Sequence, residues 1–200
     1  MPALAAKRSA APSSASLFAR NFFKHPSMLG SVIPSSRFLV KDLIGQIDWE
    51  SARVLVEFGP GVGTITREVL ERMRPEATLL VIELNQEFVE YLGKTICDPR
   101  LRVVHGSAAH VRRILAEQGL APADYIISSL PYSLLDESQR QQIVTESRRA
   151  LKDQGSLVAF QYIFQYNRRL LPYLKSSFGS VRLDFQLFNI LPALIFHCTP

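Results

Sequence analysis

At 200 residues the chain suits a single domain with a full core, and 47% hydrophobic with 20% charged residues is ordinary for a soluble globular protein. No apolar run approaches the ~20 residues that span a bilayer, and Cys97 and Cys198 offer neither a metal-ligand spacing nor a disulfide framework, so both read as reduced core thiols of a cytoplasmic protein. The net charge of +5 is uneven: six basic residues and no acid precede Asp42, whereas the rest of the chain carries 17 basic and 18 acidic residues. The positive excess of the N-terminal arm points to an anionic partner, either nucleic acid or a membrane surface.

Residues 1–15, rich in Ala, Ser and Pro, are expected to be disordered. Residues 16–24 carry helical periodicity. Phe18 and Phe22 are four apart, as are Ala19 and Phe23, and Arg20, Asn21 and Lys24 fall on the other side before Pro26. A short helix with aromatic and basic faces suits an interfacial position on a membrane. The same residues could instead pack on the domain as a lid, and an acid-free start containing Arg and Ser is also compatible with a transit peptide. Residues 16–40 are taken as this helix and lid, and 41–200 as the main domain.

From residue 53 onward short apolar runs alternate with helical patterns. Strands are predicted at 53–58, 79–83, 101–104, 124–129 and 156–162, and helices at 64–73, 85–95, 109–118, 137–151 and 166–176. Such alternation predicts an α/β fold, a parallel sheet with helices on both faces. Residues 181–188 and 193–198 are two more strands whose four-residue link is too short for a parallel crossover, so they should form an antiparallel hairpin.

The first predicted strand ends at Glu57 and Phe58, and glycines follow at 59, 61 and 63. The second ends at Glu83, 20 residues beyond Gly63. A strand, a glycine turn, a helix and a second strand tipped with an acid make a unit that holds an adenine nucleoside by its ribose hydroxyls. The dinucleotide pattern G-x-G-x-x-G would need glycine at 64 or 66, and both positions are threonine. The pattern present, Glu-x-Gly-x-Gly-x-Gly, resembles motif I of the class I methyltransferases that use S-adenosyl-L-methionine (SAM), whose Rossmann-like sheet has seven strands with the seventh antiparallel. The resemblance implies SAM as cofactor. Glu57 would face its ammonium group, Gly59, Gly61 and Gly63 would admit it closely, and the helix start at Thr64 would receive its carboxylate. Phe58 belongs to the same contact set, Glu83 would hold the ribose and Leu84 would pack on the adenine. After the third strand this fold normally reads Gly-Asp-Ala. Gly106, Ser107 and Ala108 stand there, so a hydroxyl replaces the acid that accepts from the adenine amino group.

Strand four ends in Ser128, Ser129, Leu130, Pro131 and Tyr132, which resembles the Asn-Leu-Pro-Tyr motif of the bacterial rRNA adenine dimethyltransferases, with Ser129 in place of Asn. Those enzymes continue into a helical RNA-binding domain, and the chain ends two residues after its last predicted strand, so nucleic acid is not the expected partner. Gly30-Ser-Val-Ile-Pro-Ser-Ser-Arg37, Ser129-Leu-Pro131 and Phe188-Asn-Ile-Leu-Pro-Ala193 resemble the bacterial phospholipid N-methyltransferases, and this likeness runs from about residue 16 to the end. It implies methylation of the phosphatidylethanolamine amine towards phosphatidylcholine by a cytoplasmic protein held peripherally on the inner face of an anionic membrane. The reaction needs no metal. Tyr132, then Phe160, Tyr162 and Tyr166, are the candidates to face the reacting amine, and Arg37 and Arg168 the candidates for the lipid phosphate. The alternatives are a nucleic-acid adenine N6-methyltransferase and a silent SAM-fold binding protein, the latter suggested by Ser107.

Overall fold

The computed structural model describes residues 37–163, 169–187 and 192–200. The expectations for the tail 1–15, for Phe18, Arg20, Phe22, Phe23 and Lys24, and for Tyr166 and Arg168 lie outside the described residues, as does the side chain of Arg37.

Seven strands form one sheet in the order β3-β2-β1-β4-β5-β7-β6. Strands β1 (Val54–Phe58), β2 (Thr78–Glu83), β3 (Leu101–His105), β4 (Ala123–Ser128) and β5 (Leu151–Tyr162) are mutually parallel. Strands β6 (Ser180–Gln186) and β7 (Ala193–Thr199) make the expected antiparallel pair, β7 also lying antiparallel to β5. All five residues of β1 are buried, which explains why its sequence lacks the alternation of a half-exposed strand.

Helices α1 (Arg37–Ile44), α2 (Thr64–Arg72) and α3 (Gln86–Thr95) cover one face, packing with Leu55, Leu79, Val81 and Ile127. A 3-10 turn at Ala108–His110 with α4 (Val111–Glu117), α5 (Glu137–Ala150) and α6 (Leu170–Ser177) covers the other, over Val56, Phe58, Leu80 and Ile126. The predicted helix 109–118 is therefore a 3-10 turn running into a shorter α-helix. Helix α1 has no counterpart among the predicted elements and straddles residue 41. Leu39, Val40, Leu43 and Ile44, at helical spacing, are buried in the same core as β1 and α2, each worth roughly 1.5–3 kcal/mol of apolar burial. The covering helices thus begin before residue 41.

Strand β5 starts at Leu151, five residues earlier than 156. Helix α5 is begun by a capping box of Asp136 and Gln139, and at Leu151 the backbone turns extended, so helix passes into strand with no loop. The register of β4 and β5 shifts between Ala123 and Tyr125, and Lys152 Nζ lies 2.5 Å from Asp124 Oδ1 beside this irregularity. Gly155 is required here, since a Cβ would sit 2.9 Å from the Ala123 carbonyl oxygen. A correction also concerns the thiols: Cys198 is buried but Cys97, just past α3, is exposed.

The chain winds from β1 to β3 in one direction and from β4 onward in the other. The carboxyl ends of β1, β2 and β4 therefore meet at the reversal, where open α/β sheets form a crevice.

Candidate functional site

The crevice floor is the turn after β1. Gly59, Gly61 and Gly63 all have positive φ (65°, 56° and 82°), the left-handed region that only glycine adopts without strain. At Gly59 the N–H donates to the Ile82 carbonyl at 3.0 Å, binding the turn to β2. Gly63 precedes α2 in the left-handed conformation with no side-chain cap. A Cβ on Gly63 would lie 2.7 Å from Leu92 Cδ2, whereas one on Gly61 would meet no protein atom within 4 Å. The outer glycines are thus demanded by packing and the middle one borders open space.

Two carboxylates flank the turn. Glu57 is fully buried in β1, and its Oε2 accepts from Thr66 Oγ1 at 2.7 Å. Its Oε1 has no hydrogen-bond partner. Burial pushes this carboxyl up to about 8; the Thr66 hydroxyl pulls it down and the charge of Glu83 raises it further. An unpartnered buried carboxylate oxygen is costly unless a cation or donor arrives to meet it. Glu83, at the end of β2, accepts from the Gly61 N–H at 3.2 Å and the Asn85 N–H at 2.9 Å. Burial raises its carboxyl too, against the pull of the Asn85 and Gly61 N–H groups.

Above the turn is a cavity of about 240 Å³. Of the residues singled out from the sequence, Gly59, Gly61, Thr64, Glu83, Leu84, Ser107, Ala108 and Ser129 line it. Glu57, Phe58 and Gly63 do not: Glu57 lies below the turn, Phe58 is in the core, and Gly63 backs onto Leu92. Leu84 is 72% exposed at the rim, its carbonyl 3.0 Å from His105 Nε2. Ser107 starts the 3-10 turn, its hydroxyl oxygen accepting from the Ala109 N–H at 3.3 Å. Ser129 Oγ is buried without a partner. Sequence reading missed several walls: Val62, Ile65, Phe88, Leu130, Leu135, Gln139 and Ile143. Leu135, Gln139 and Ile143 come from α5 and the loop before it, where helical spacing alone does not say which end faces the crevice.

The aromatic candidates are redistributed. Tyr132 is fully buried in the core beneath α5, does not line the cavity, and its hydroxyl lies 2.8 Å from Ser128 Oγ. Burial raises its phenol further above its usual range. Tyr162 is also buried, on the α1 face, edge-on to Phe160 with ring centroids 5.5 Å apart. Phe160 alone of the described candidate aromatics lines the cavity. Ser128 pairs with Ala159, so the next residues, Ser129 and Phe160, turn to the other face together; Tyr162 shares the face of Phe160 but lies one strand period further along β5 and is not a cavity wall. The backbone of the loop that carries Tyr132 is held by Arg140, a buried guanidinium donating to the Tyr132 carbonyl at 2.9 Å and the Leu135 carbonyl at 2.7 Å. Tyr132→Phe should therefore cost about 1–2 kcal/mol in chemical denaturation, from the Ser128 hydroxyl left unpaired. Its kcat should stay within about twofold of the wild-type value. A large fall in kcat at unchanged stability would return Tyr132 to the reacting centre.

The group implied by this arrangement carries a cation, a vicinal diol and a flat base. Glu57, buried beneath the turn and outside the cavity lining, can offer its charge to the cation from below, Glu83 can receive the diol, and the apolar walls Ile82, Ala108, Leu135 and Ile143 the base. The residues present fit SAM. A family model described as a methyltransferase domain matches residues 55–155, half of the chain. An ornithine lipid N-methyltransferase from Singulisphaera acidiphila is 28% identical over 183 residues, covering 91% of this chain and 94% of that protein. A ribosomal RNA small subunit methyltransferase A from Mycoplasma capricolum is 29% identical over 103 residues, which is 50% of this chain and 36% of that protein. A SAM-dependent methyltransferase structure from Aquifex aeolicus shares the fold with a TM-score of 0.63 at 12% identity, over 94% of this chain and 100% of that one. Sheet order, glycine turn and family match lead to one conclusion: the chain belongs to the methyltransferase-domain family and is a SAM-dependent methyltransferase.

Proposed function

We propose that the protein methylates the amine of a membrane lipid, with phosphatidylethanolamine as acceptor and phosphatidylcholine as the end of successive transfers. The observation that carries the lipid reading is the length of the match to the ornithine lipid enzyme, nearly all of both chains, against half of this chain for the ribosomal RNA relative. Ser129 also supports it, since the amide that would hold an adenine amino group is absent.

SAM supplies an electrophilic methyl group on a sulfonium. When bound, it would donate that methyl group in line to the neutral amine, its sulfur keeping the electron pair of the broken carbon–sulfur bond and the amine's proton leaving to solvent. The protein's part is to position and to exclude water. Glu83 would hold the cofactor's hydroxyl end, Glu57 would offer its charge to the cationic end from beneath the turn, and the Gly59–Gly63 turn would admit the cofactor closely. The Ser129 hydroxyl, buried and unspent, accepts from the incoming neutral amine, and Leu130 and Pro131 wall that side. Phe160 offers an aromatic surface that favours the more methylated, cationic product.

Access for a lipid is supported by exposed apolar side chains at the carboxyl end of the sheet: Phe185 and Leu187 near the end of β6, Ile163 after β5, Leu134 before α5 and Phe38 on α1. Among the described residues no helix is long and apolar enough to cross a membrane. Phe18, Arg20, Phe22, Phe23 and Lys24 are the proposed interfacial contact, and Arg37 and Arg168 the proposed phosphate contacts. Incubation with labelled SAM and liposomes of phosphatidylethanolamine with an anionic lipid should give label extractable into organic solvent. Label in ornithine lipid but not in phosphatidylethanolamine would change the acceptor and keep the lipid reading. Label confined to added RNA or DNA would replace the reading with the adenine one. Deleting residues 1–24 should reduce liposome binding and leave cofactor binding intact.

A further inference from the structure

Strand β6 is an edge of the sheet and has two unlike faces. Arg182, Asp184 and Gln186 alternate with Val181, Leu183 and Phe185, and Leu187 is the next residue of the apolar series. The polar face is spent within the protein. Asp184 accepts from Arg182 at 3.0 Å and lies 3.1 Å from His197 Nε2, and Gln186 donates to Asp42 of α1. The apolar face lies beside Cys198, Phe196 and Leu194 of β7, all buried. Its cover runs out along the strand. Val181 packs against the core that includes Leu170 and Leu174 of α6, whereas Phe185 and Leu187 are 65% and 64% exposed.

Because β7 is antiparallel to both β5 and β6, the bare end of β6 lies at the same end of the sheet as the cavity. Two more exposed side chains carry the apolar surface toward the cavity walls. Ile163, after β5, donates its N–H to the Pro192 carbonyl at 2.9 Å, and Leu134, after β4, donates its N–H to the carbonyl of Pro131, a cavity wall, at 2.9 Å. The opposite end of the sheet is ionic. Arg74 pairs there with Glu50 at 2.7 Å and Glu76 at 2.6 Å, Arg100 pairs with Asp98 at 2.7 Å, and among the described residues no large exposed apolar side chain stands at that end. A bare apolar stripe on an edge strand marks a surface that meets a partner. We infer that the carboxyl end of β6 is a bilayer-docking edge: Phe185 and Leu187 enter the lipid surface and turn the cavity end of the sheet toward the membrane. A second copy pairing edge to edge would take β6 alone, whereas a lipid surface meets β6, Ile163 and Leu134 together. It also lets a lipid amine reach the cavity while the acyl chains stay in an apolar phase. The inference rests on the lipid reading proposed above and adds an element of the sheet to the N-terminal contact proposed there.

The test compares the full-length wild type with the double variant Phe185→Ser, Leu187→Ser by flotation with vesicles of phosphatidylethanolamine and phosphatidylglycerol. Both side chains are mostly in water, so the variant should fold, which unchanged S-adenosylhomocysteine affinity certifies. Its partition coefficient should fall at least about tenfold, the scale of two apolar side chains withheld from lipid. At about 1 M salt, where the Debye length is ~3 Å and basic residues are screened, the wild type should stay bound and the loss should persist. Phe185→Trp reads insertion directly, because the single native tryptophan, Trp49, lies just before β1 at the opposite end of the sheet. Brominated acyl chains should quench the added indole and leave wild-type emission unchanged. Equal partitioning of wild type and double variant overturns the inference, as does an added indole that escapes quenching or a wild type that leaves the vesicles at high salt. A wild type that is dimeric without vesicles and monomeric with both serines assigns the stripe to a second copy and overturns it too. Docking through the stripe with no label reaching any lipid overturns the lipid-acceptor reading instead, so the two failures are separable.

Discussion

Gly63→Ala should lower the free energy of unfolding by about 2–5 kcal/mol, while Gly61→Ala should cost only about 1–2 kcal/mol yet weaken S-adenosylhomocysteine at least tenfold. Both glycines are left-handed, with φ of 82° and 56°, so each substitution bears the strain of an L-residue there. They differ in what a methyl group would strike. At position 63 it would lie 2.7 Å from Leu92 Cδ2 and 3.0 Å from Ile96 Cδ1, and Leu92 is fully buried against α2 and cannot retreat. Overpacking of that kind adds about 1–3 kcal/mol to the strain. At position 61 the methyl group would enter open space on the cavity side, where a cofactor must approach the backbone. Urea denaturation and calorimetry of the two variants test the contrast. Equal stability losses, or unchanged affinity in Gly61→Ala, would refute the division of roles.

Glu57→Gln should stabilise the protein at pH 8 and weaken S-adenosylhomocysteine there about 10- to 100-fold, two effects of opposite sign. Burial lifts the folded carboxyl to about 8 while the unfolded one keeps its ordinary value of 4.5, so between these values the folded state holds a proton that the unfolded state has released. The contribution of Glu57 to stability is therefore fully present below about pH 4.5 and is lost progressively as pH rises through 8. The fall amounts to several kcal/mol in order of magnitude. Glutamine does not titrate and can keep the Thr66 hydrogen bond, so the variant should hold its stability across that window. Binding runs the other way. The cationic end of the cofactor requires the carboxylate, so wild-type affinity should rise from pH 6 to pH 8 with release of a proton, and the variant should lose this dependence. A carboxylate kept only for structure would give destabilisation on substitution and pH-independent binding. Denaturation at pH 5 and pH 8, with titration in two buffers of different ionisation enthalpy, distinguishes the two.

The parts of this protein legible in its sequence are those with local causes. The buried strands are apolar runs because both their faces are covered, and the glycine turn is visible because its three left-handed residues admit little else. The C-terminal hairpin follows from the length of its link. Helix α1 was equally periodic, with Leu39, Val40, Leu43 and Ile44 on one side, but it lies ahead of the first strand, where no alternation of elements marks it. The division of α5 and β5 at Leu151 was displaced because a helix running into a strand leaves no turn residues between them.

By itself the sequence determined the sheet, the alternation of strands and helices from residue 53 onward, and the glycine turn, since period, turn chemistry and glycine spacing act over a few residues at a time. Only the tertiary structure decided which of several similar side chains reach the cavity. Tyr132 stands next to Pro131, a wall of that cavity, yet its ring is buried against Ser128, while Phe160, set apart by 28 positions, lines it. Gln139, an unremarked polar residue of a helix, faces it too. Facing is a property of neighbouring strands and of the helix packed across them, and those contacts join residues that are distant in the chain.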